Sequence, residues 1–394
     1  GYKSLDCLQT ALYHTLGNLP EPILTHRFCG RAIRTSIKDN SPVYVSHDIA
    51  ANLSSYELRD NDIVLTTVGS RPPLYDSMVG KVITVPVHAA GSLLNQNMVV
   101  LRGDQNQLVQ NFLVTTLRTR EFVNFIETLI RGNANQVSIA LNELFKFSFL
   151  LPPLSEQTAI ASLLTTWDLA IDKTERLIEA KKKRFEWLVS RLISGGKHIH
   201  GHIRDVTNEV SERNSGRTMD RVLSVTNNRG FVLPEDQFER RVASSDLSNY
   251  KVVTRGQYAY NPSRINVGSI ARLDGWDKGV LSPMYVVFKI NEKNINSDFF
   301  LYWLSSYEAK ARIRRSAQGS VRETVSFTDL GAIPFPLPPL DQQKQIATVL
   351  NTAEQYIDLL KRQAEAYRKQ KRGLMQKLLT GQWRVKVNEE IDNG

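Results

Sequence analysis

The chain has 394 residues, 41% of them hydrophobic and 23% charged, a globular composition with length for two or more domains. Lys and Arg outnumber Asp and Glu by 50 to 40, giving +10 and a pI near 9.5, so polyanions are the favoured partners, nucleic acid first and an anionic membrane surface second. No run of about 18 apolar residues is present to span a bilayer and no signal peptide is seen; Cys7 and Cys29 offer neither metal spacing nor a disulfide framework, which fits a reducing cytosol. The chain opens on Gly1 rather than Met, so a processed end or tag scar is expected and a longer natural N-terminus is left open.

The predicted elements describe two similar halves. Residues 43–45, 63–67, 81–86 and 98–102 are rich in β-branched side chains and separated by turn signals such as Arg71-Pro72-Pro73, so they read as strands. A helix over 106–131 follows. Leu151-Pro152-Pro153-Leu154-Ser155-Glu156-Gln157 then opens a segment without proline that runs to Gly195. In the second half, strands are predicted over 221–226, 257–260, 268–273 and 285–290, and a helix over 297–315. Leu337-Pro338-Pro339-Leu340-Asp341-Gln342-Gln343 opens a second proline-free segment ending at Gly381.

These two segments are one sequence written twice. They align without a gap at an offset of about 186 residues, with roughly 18 of 45 positions identical. The prolines forbid a helix upstream, Ser155 and Asp341 are placed as N-caps, and Gly195 and Gly381 as C′ residues. Each helix should therefore run for about 40 residues, or roughly 60 Å. Apolar positions step by four and three: Ile160, Leu164, Trp167, Ile171, Thr174, Ile178, Lys181, Phe185, Leu188, Leu192, and Ile346, Leu350, Ala353, Ile357, Leu360, Ala364, Tyr367, Lys371, Leu374, Leu378. That is a coiled-coil seam, and the other copy is its natural antiparallel partner. The basic runs at 181–184 and 369–372 read first as solvated faces. The expected fold is α+β: two globular domains separated by two long antiparallel coiled-coil helices, with an internal pseudo-twofold repeat. The boundaries are 1–150 for the first domain, 151–196 for the first helix, 197–336 for the second domain, 337–383 for the second helix and 384–394 for a tail.

The regions before the helices resemble each other only faintly, as readers of two different sequences would. Candidate DNA contacts are loop and helix-end residues that supply phosphate attraction or bidentate bonds to base edges. In the first half these are His47, Ser70, Arg71, Arg118, Arg120, Arg131, Asn133 and Asn135. In the second they are Asn227, Asn228, Arg229, Asn261, Arg264, Arg312, Arg314, Arg315, Gln318, Ser320 and Arg322. Enzyme signatures are missing: no phosphate loop, no metal-ligand spacing, no nucleophile elbow and no kinase set. His198, His200 and His202 alternate on an expected linker, and no metal is assigned to them. Asn261-Pro262-Ser263 echoes the Asn-Pro-Pro-aromatic motif of adenine methyltransferases but lacks the second proline and the aromatic, so it reads as a turn.

Two variable domains, each followed by Leu-Pro-Pro-Leu-x-x-Gln and a long helix, resemble the specificity subunit of type I restriction-modification systems over residues 14–383; the short N-terminus, with little before Tyr13-His14-Thr15-Leu16, departs from that pattern. The resemblance implies a non-catalytic, cytoplasmic, nucleoid-associated subunit that binds double-stranded DNA. Each domain would be a target-recognition domain reading one half of a bipartite site, and the helices would set the spacer and dock two methylation subunits, with restriction subunits joined through these. It implies no cofactor in this chain, and S-adenosylmethionine, ATP and Mg on the partners. Half-sites about 34 Å apart would lie within reach of such a rod. Rival readings are a coiled-coil protein-binding scaffold, a single-chain modification enzyme, and a recognition subunit of another multi-subunit phage-defence system.

Overall fold

A computed structural model describes residues 2–4, 26–27, 32–33, 36–37, 44–71, 78–95, 97–130, 137–195, 200–234, 246–318 and 324–386. The chain divides into two compact units, one of residues 1–173 with 363–394 and the other of 174–362, so the division cuts both long helices. Among the described residues no helix is long and apolar enough to cross a membrane.

In the first unit, α1 (His47–Asn52) precedes β1 (Ile63–Thr66), β2 (Val82–Thr84) and β3 (Met98–Leu101), which form an antiparallel sheet in the order β2-β1-β3. β1 is central and apolar on both faces. Ile63 and Leu65 join one core, and Val64 joins another with Leu58, Ile83 and Val100, as period-two alternation requires. The predicted helix over 106–131 is two helices, α2 (Gln110–Thr116) and α3 (Arg120–Leu129). The break lies at Thr119, whose hydroxyl accepts from the Phe122 N–H and starts a new helix. The long helix α4 (Leu154–Val189) follows.

The second unit repeats this plan. Its strands include β4 (Thr207–Val210), β5 (Ser224–Thr226), β6 (Gly230–Val232), β7 (Lys251–Thr254), β8 (Tyr258–Tyr260), β9 (Ile270–Arg272), β10 (Lys278–Leu281) and β11 (Val286–Ile290). An antiparallel sheet runs β4-β11-β8-β9, while β5 pairs with β6 and β7 with β10. The arrangement β9-β8-β11 matches β2-β1-β3. Tyr258 and Tyr260 enter an aromatic core with Phe288, Phe300, Trp303 and Phe335, and burial pushes the Tyr258 phenol up to about 12. The predicted helix over 297–315 is again two, α5 (Ser297–Ser305) and α6 (Tyr307–Gln318), broken at Ser306, whose hydroxyl accepts from the Ala309 N–H. The second long helix, α7 (Leu340–Leu379), closes the plan.

Each unit holds a stretch of both long helices. In the first, the Arg384 guanidinium grips Glu156, Lys371 lies 2.6 Å from Asp168, and the Trp167 and Tyr367 rings meet at 5.6 Å. In the second, Lys181 sits over the Tyr356 ring, and Val189 and Ile193 share a core with Ile346, Ala347 and Leu350. Rising numbers on α4 meet falling numbers on α7 in each unit, so the packing is antiparallel in both. Every predicted seam position is buried or half-buried, including the polar members Thr174, Lys181 and Lys371.

The repeated motif has a structural job that its prolines and leucines conceal. Gln157 is fully buried; its Oε1 accepts from the Val109 N–H at 2.8 Å, and its Nε2 donates to the Gln107 and Pro152 carbonyls at 2.9 and 2.8 Å. Gln343 does the same with the Asn296 N–H at 2.8 Å and the Asn294 and Pro338 carbonyls at 3.2 and 2.7 Å. Each glutamine thus clasps the start of a long helix to the start of the helix pair before it. The entry to each long helix is duplicated too: Ser148–Leu150 pairs with Tyr2–Ser4, and Pro334–Pro336 with His200–His202.

Three of the four predicted cap positions are corrected. α4 and α7 begin at Leu154 and Leu340, so Ser155 and Asp341 lie inside the first turn, and the carbonyls of Pro153 and Pro339 accept the first helical bonds from Gln157 and Gln343. Gly381 is left-handed at φ +72°, as a C′ residue should be, but Gly195 is right-handed at φ −84°, because a π-turn over Ser190–Ser194 ends that helix by bonding the Gly195 N–H to the Ser190 carbonyl.

Candidate nucleic-acid interface

In the second unit three of the candidates, Asn227, Asn228 and Arg314, line a cleft of about 530 Å³ together with Asn266, Val267 and Lys310 among others. Three elements build it. Asn227 and Asn228 occupy the turn of the β5–β6 hairpin, fastened by the Thr226 hydroxyl, which accepts from the Arg229 N–H and donates to the Gly230 carbonyl. The second element is the loop after β8, where Asn261 Oδ1 accepts from the Ser263 N–H in a tight turn and a 3₁₀ turn follows over Ile265–Val267. Gly268 ends that turn at φ +100°, and a Cβ there would lie 3.6 Å from that of Asn227, so hairpin and turn sit against each other. The buried Ser269 hydroxyl pins them further by donating to the Val225 carbonyl at 2.8 Å. The third element is α6. Ala309, Ile313 and Ala317 are buried, which leaves Lys310 and Arg314, one helical turn apart, on the cleft.

The other candidates of this unit lie elsewhere. Arg312 donates to the Pro334 carbonyl at 2.8 Å and pairs with Glu308 at 2.5 Å, a position that serves packing. Arg315 is exposed, with its Nε 3.4 Å from the Ala311 carbonyl. Arg264 is exposed at the loop tip, Arg229 in the hairpin turn, and Asn261 is half-buried in its own turn. Ser320 and Arg322 lie outside the described residues, as does the side chain of Gln318. Asn266 and Lys310 were not among the candidates. An asparagine next to the Asn-Pro-Ser-Arg turn and a lysine four residues before Arg314 were the available signals.

In the first unit, Arg118 and Arg120 line a cleft of about 1100 Å³ with Asn124, Lys369, Arg372 and Gln376. Arg118 is half-buried. Its Nη2 donates to the Thr84 hydroxyl at 3.3 Å, and its Nε is buried without a hydrogen-bond partner. Burial pushes its pKa down, and Asp168 opposes that shift. Ser70 bridges to Met78 at a sheet end and Arg71 follows it, exposed. His47 opens α1. Arg131, Asn133 and Asn135 lie outside the described residues. Among the described residues no group of three His, Cys, Asp or Glu is placed to hold a metal.

The two clefts use the same corner of the repeat. Ser306 stands to α6 as Thr119 stands to α3, and buried Ala309 and Ile313 answer to buried Phe122 and Ile126. Lys310 and Arg314 therefore occupy the places of Val123 and Glu127, so one helix face carries cations in one unit and an apolar residue and a carboxylate in the other.

A family model described as "Type I restriction modification DNA specificity domain" matches residues 30–182 and 256–366. The chain is 25% identical over 367 residues to the specificity subunit assigned to the MjaX type I restriction enzyme of Methanocaldococcus jannaschii, covering 87% of this chain and 83% of that one. It is 24% identical over 361 residues to the type I restriction enzyme MjaVIII specificity subunit of the same organism, covering 84% and 80%. Its fold is similar to the crystal structure of the type I restriction-modification system S subunit from M. genitalium, with a TM-score of 0.58, 16% identity and 96% of each chain covered.

Proposed function

This chain belongs to the type I restriction-modification DNA specificity family, a family of non-catalytic subunits, and on that premise we propose that its two variable domains each read one half of a bipartite DNA site. The reading heads are residues 1–150 and 197–336, the spacer helices 151–196 and 337–383, and 384–394 is a tail. In the second head the readers are Asn227, Asn228 and Arg314, joined by Asn266 and Lys310. Asparagine amides suit the paired donor and acceptor edge of adenine, and arginine suits guanine or a phosphate. The observation that carries the proposal is the convergence of those amides and cations from three separate elements on one cleft. Arg264, Arg229 and Arg315, exposed outside the cleft lining, serve as phosphate contacts. The first head uses Arg118, Arg120, Ser70, Arg71, His47, Arg131, Asn133 and Asn135.

The paired helices fix the gap between half-sites and dock two methylation subunits, through which restriction subunits join. Val349, Tyr356 and Leu359 support docking: they stand at heptad-like spacing on α7 with 48%, 43% and 60% of their surface exposed. Methyl transfer from S-adenosylmethionine and ATP- and Mg-dependent cleavage belong to those partners. The test exchanges residues 197–336 for another variable domain and sequences the methylome of a host carrying each form. One half of the methylated site should change while the other half and the gap stay; a change in both halves refutes two independent readers.

A further inference from the structure

α7 contains one glycine, Gly373, in the middle of a helix, where glycine is less favourable than alanine by roughly 1 kcal/mol. Nothing in its surroundings requires it: a Cβ built there meets no atom within 4 Å. Its counterpart in the first copy is Trp187, which is 60% exposed, so the repeat itself does not demand a small residue. Gly373 lies on the wall of the larger cleft, on one face of α7 with Lys369, Arg372 and Gln376. Arg120 and the half-buried Arg118 face it from the start of α3. Arg372 pairs with Glu365 at 3.3 Å, a contact of the solvent-exposed kind that a stronger anion displaces readily. Glu121 and Glu127 also line the cleft, so four cations stand against two carboxylates.

We propose that this cleft seats a stretch of the DNA sugar–phosphate backbone, with Arg120, Lys369 and Arg372 on the phosphates and Gly373 letting the strand lie close against the helix. The proposal rests on the reading that the chain binds duplex DNA, and it adds a spacer helix to the DNA-contacting surface. Two features favour DNA over a protein partner. The lining is polar and basic, with Val123 and Met375 as its apolar members, whereas the centre of a protein interface is depleted of charge. A phosphodiester strand also brings repeated negative charge on a backbone narrow enough to use the space a missing Cβ leaves. Contacts of this kind hold DNA without reading its sequence.

The test uses the full chain co-expressed with its methylation subunit. Binding is measured to a duplex carrying the site found by methylome sequencing and to a duplex of unrelated sequence, between 50 and 200 mM salt. Lys369→Gln with Arg372→Gln should weaken both duplexes by the same factor. With two phosphate contacts removed, the variant should lose about twelvefold less affinity than the wild type across that salt range. Gly373→Ala should raise the unfolding temperature yet weaken both duplexes, which separates a ligand role from a structural one. Wild-type affinity and salt slope in these variants overturn the proposal. So does intact duplex binding with lost capture of the methylation subunit, which would make the cleft a protein seat. Failure of the underlying reading looks different: wild-type chain then shows no preference between the two duplexes, while the salt slopes on the unrelated duplex still judge the cleft.

Discussion

Replacing Gln343 by Leu tests the clasp that joins the second reading head to its helix. Leucine nearly preserves volume, so no large cavity opens, and the effect isolates the amide. Three hydrogen bonds vanish, to the Asn296 N–H and to the Asn294 and Pro338 carbonyls, at a fully buried position. At about 1 kcal/mol net for each bond, with a further contribution from the groups left unpaired, the loss should be roughly 3–4 kcal/mol. For a unit of this size that lowers the unfolding temperature by about 6–16 °C. Denaturant unfolding of the full chain, followed by near-UV signals from the aromatic core, reads it directly. Gln342→Leu, one residue earlier and exposed, is the control and should move stability by under about 0.5 kcal/mol. Gln157→Leu should reproduce the loss in the other unit, and the double variant should show the two effects adding, since the clasps share no partner. A loss below about 1 kcal/mol at Gln343, or equal losses at Gln342 and Gln343, refutes the clasp as the reason the motif ends in glutamine.

Three further predictions follow from the same geometry. Asn227→Ala or Arg314→Ala should cost about 1–3 kcal/mol of discrimination at one half-site and leave the other untouched, measured by duplex binding with single-base changes in each half. Inserting matched heptads into α4 and α7, about 10 Å of helix, should lengthen the accepted gap by roughly three base pairs; an unchanged gap in the methylome rules out the ruler. Hydrogen bonds from Arg384, opposed by burial and aided by the Val385 N–H, hold the Glu156 carboxyl below its ordinary value of 4.5. A carboxyl with a depressed folded pKa adds stability above its unfolded pKa and loses it as pH falls through the folded one. The wild type should therefore be more stable than Glu156→Gln at pH 7 and converge on it below about pH 4.5; a difference that does not vary with pH refutes the pairing as the cause.

The long helices were legible because their signal is dense: a gapless duplication, paired prolines at one end and a four-three apolar step that every seam residue obeys in the structure. Three strands of each sheet were legible from β-branched runs, to within a residue or two at each end, but β4, the edge strand of the second sheet, was not. The helix corners were not. Thr119 and Ser306 sit inside stretches with continuous helical pattern, and a capping hydroxyl there looks like any polar surface residue until the chain is seen to turn. Which of the candidate residues share a cleft was not legible. Arg312 and Arg314 are two residues apart, yet a helix sends the first to Glu308 and the Pro334 carbonyl and the second to the cleft. Conversely, Asn227 and Arg314 are 87 positions apart in sequence and line one cleft, whose hairpin wall Ser269 and Gly268 hold against the 3₁₀ turn.

The duplication preserves attachment and abandons recognition. The glutamine clasp, the strand pair before each long helix and the hydroxyl-capped corner recur in both units, although the regions ahead of the two long helices are barely alike in sequence. What differs is the second wall of each cleft. In one unit the corner helix faces a hairpin turn and a 3₁₀ turn, and in the other it faces α7. On the proposed reading, a scaffold that fixes where a head joins its helix, while leaving the opposing wall to loops, would allow the half-sites to diverge without disturbing the spacer. The asymmetry between Trp187 and Gly373 falls on the attachment side of that division, so it cannot be laid to divergence of the reading loops. One copy of the helix is open at a position where the other carries a large ring, and that opening lies beside a basic cleft, where a bound strand gives it a purpose.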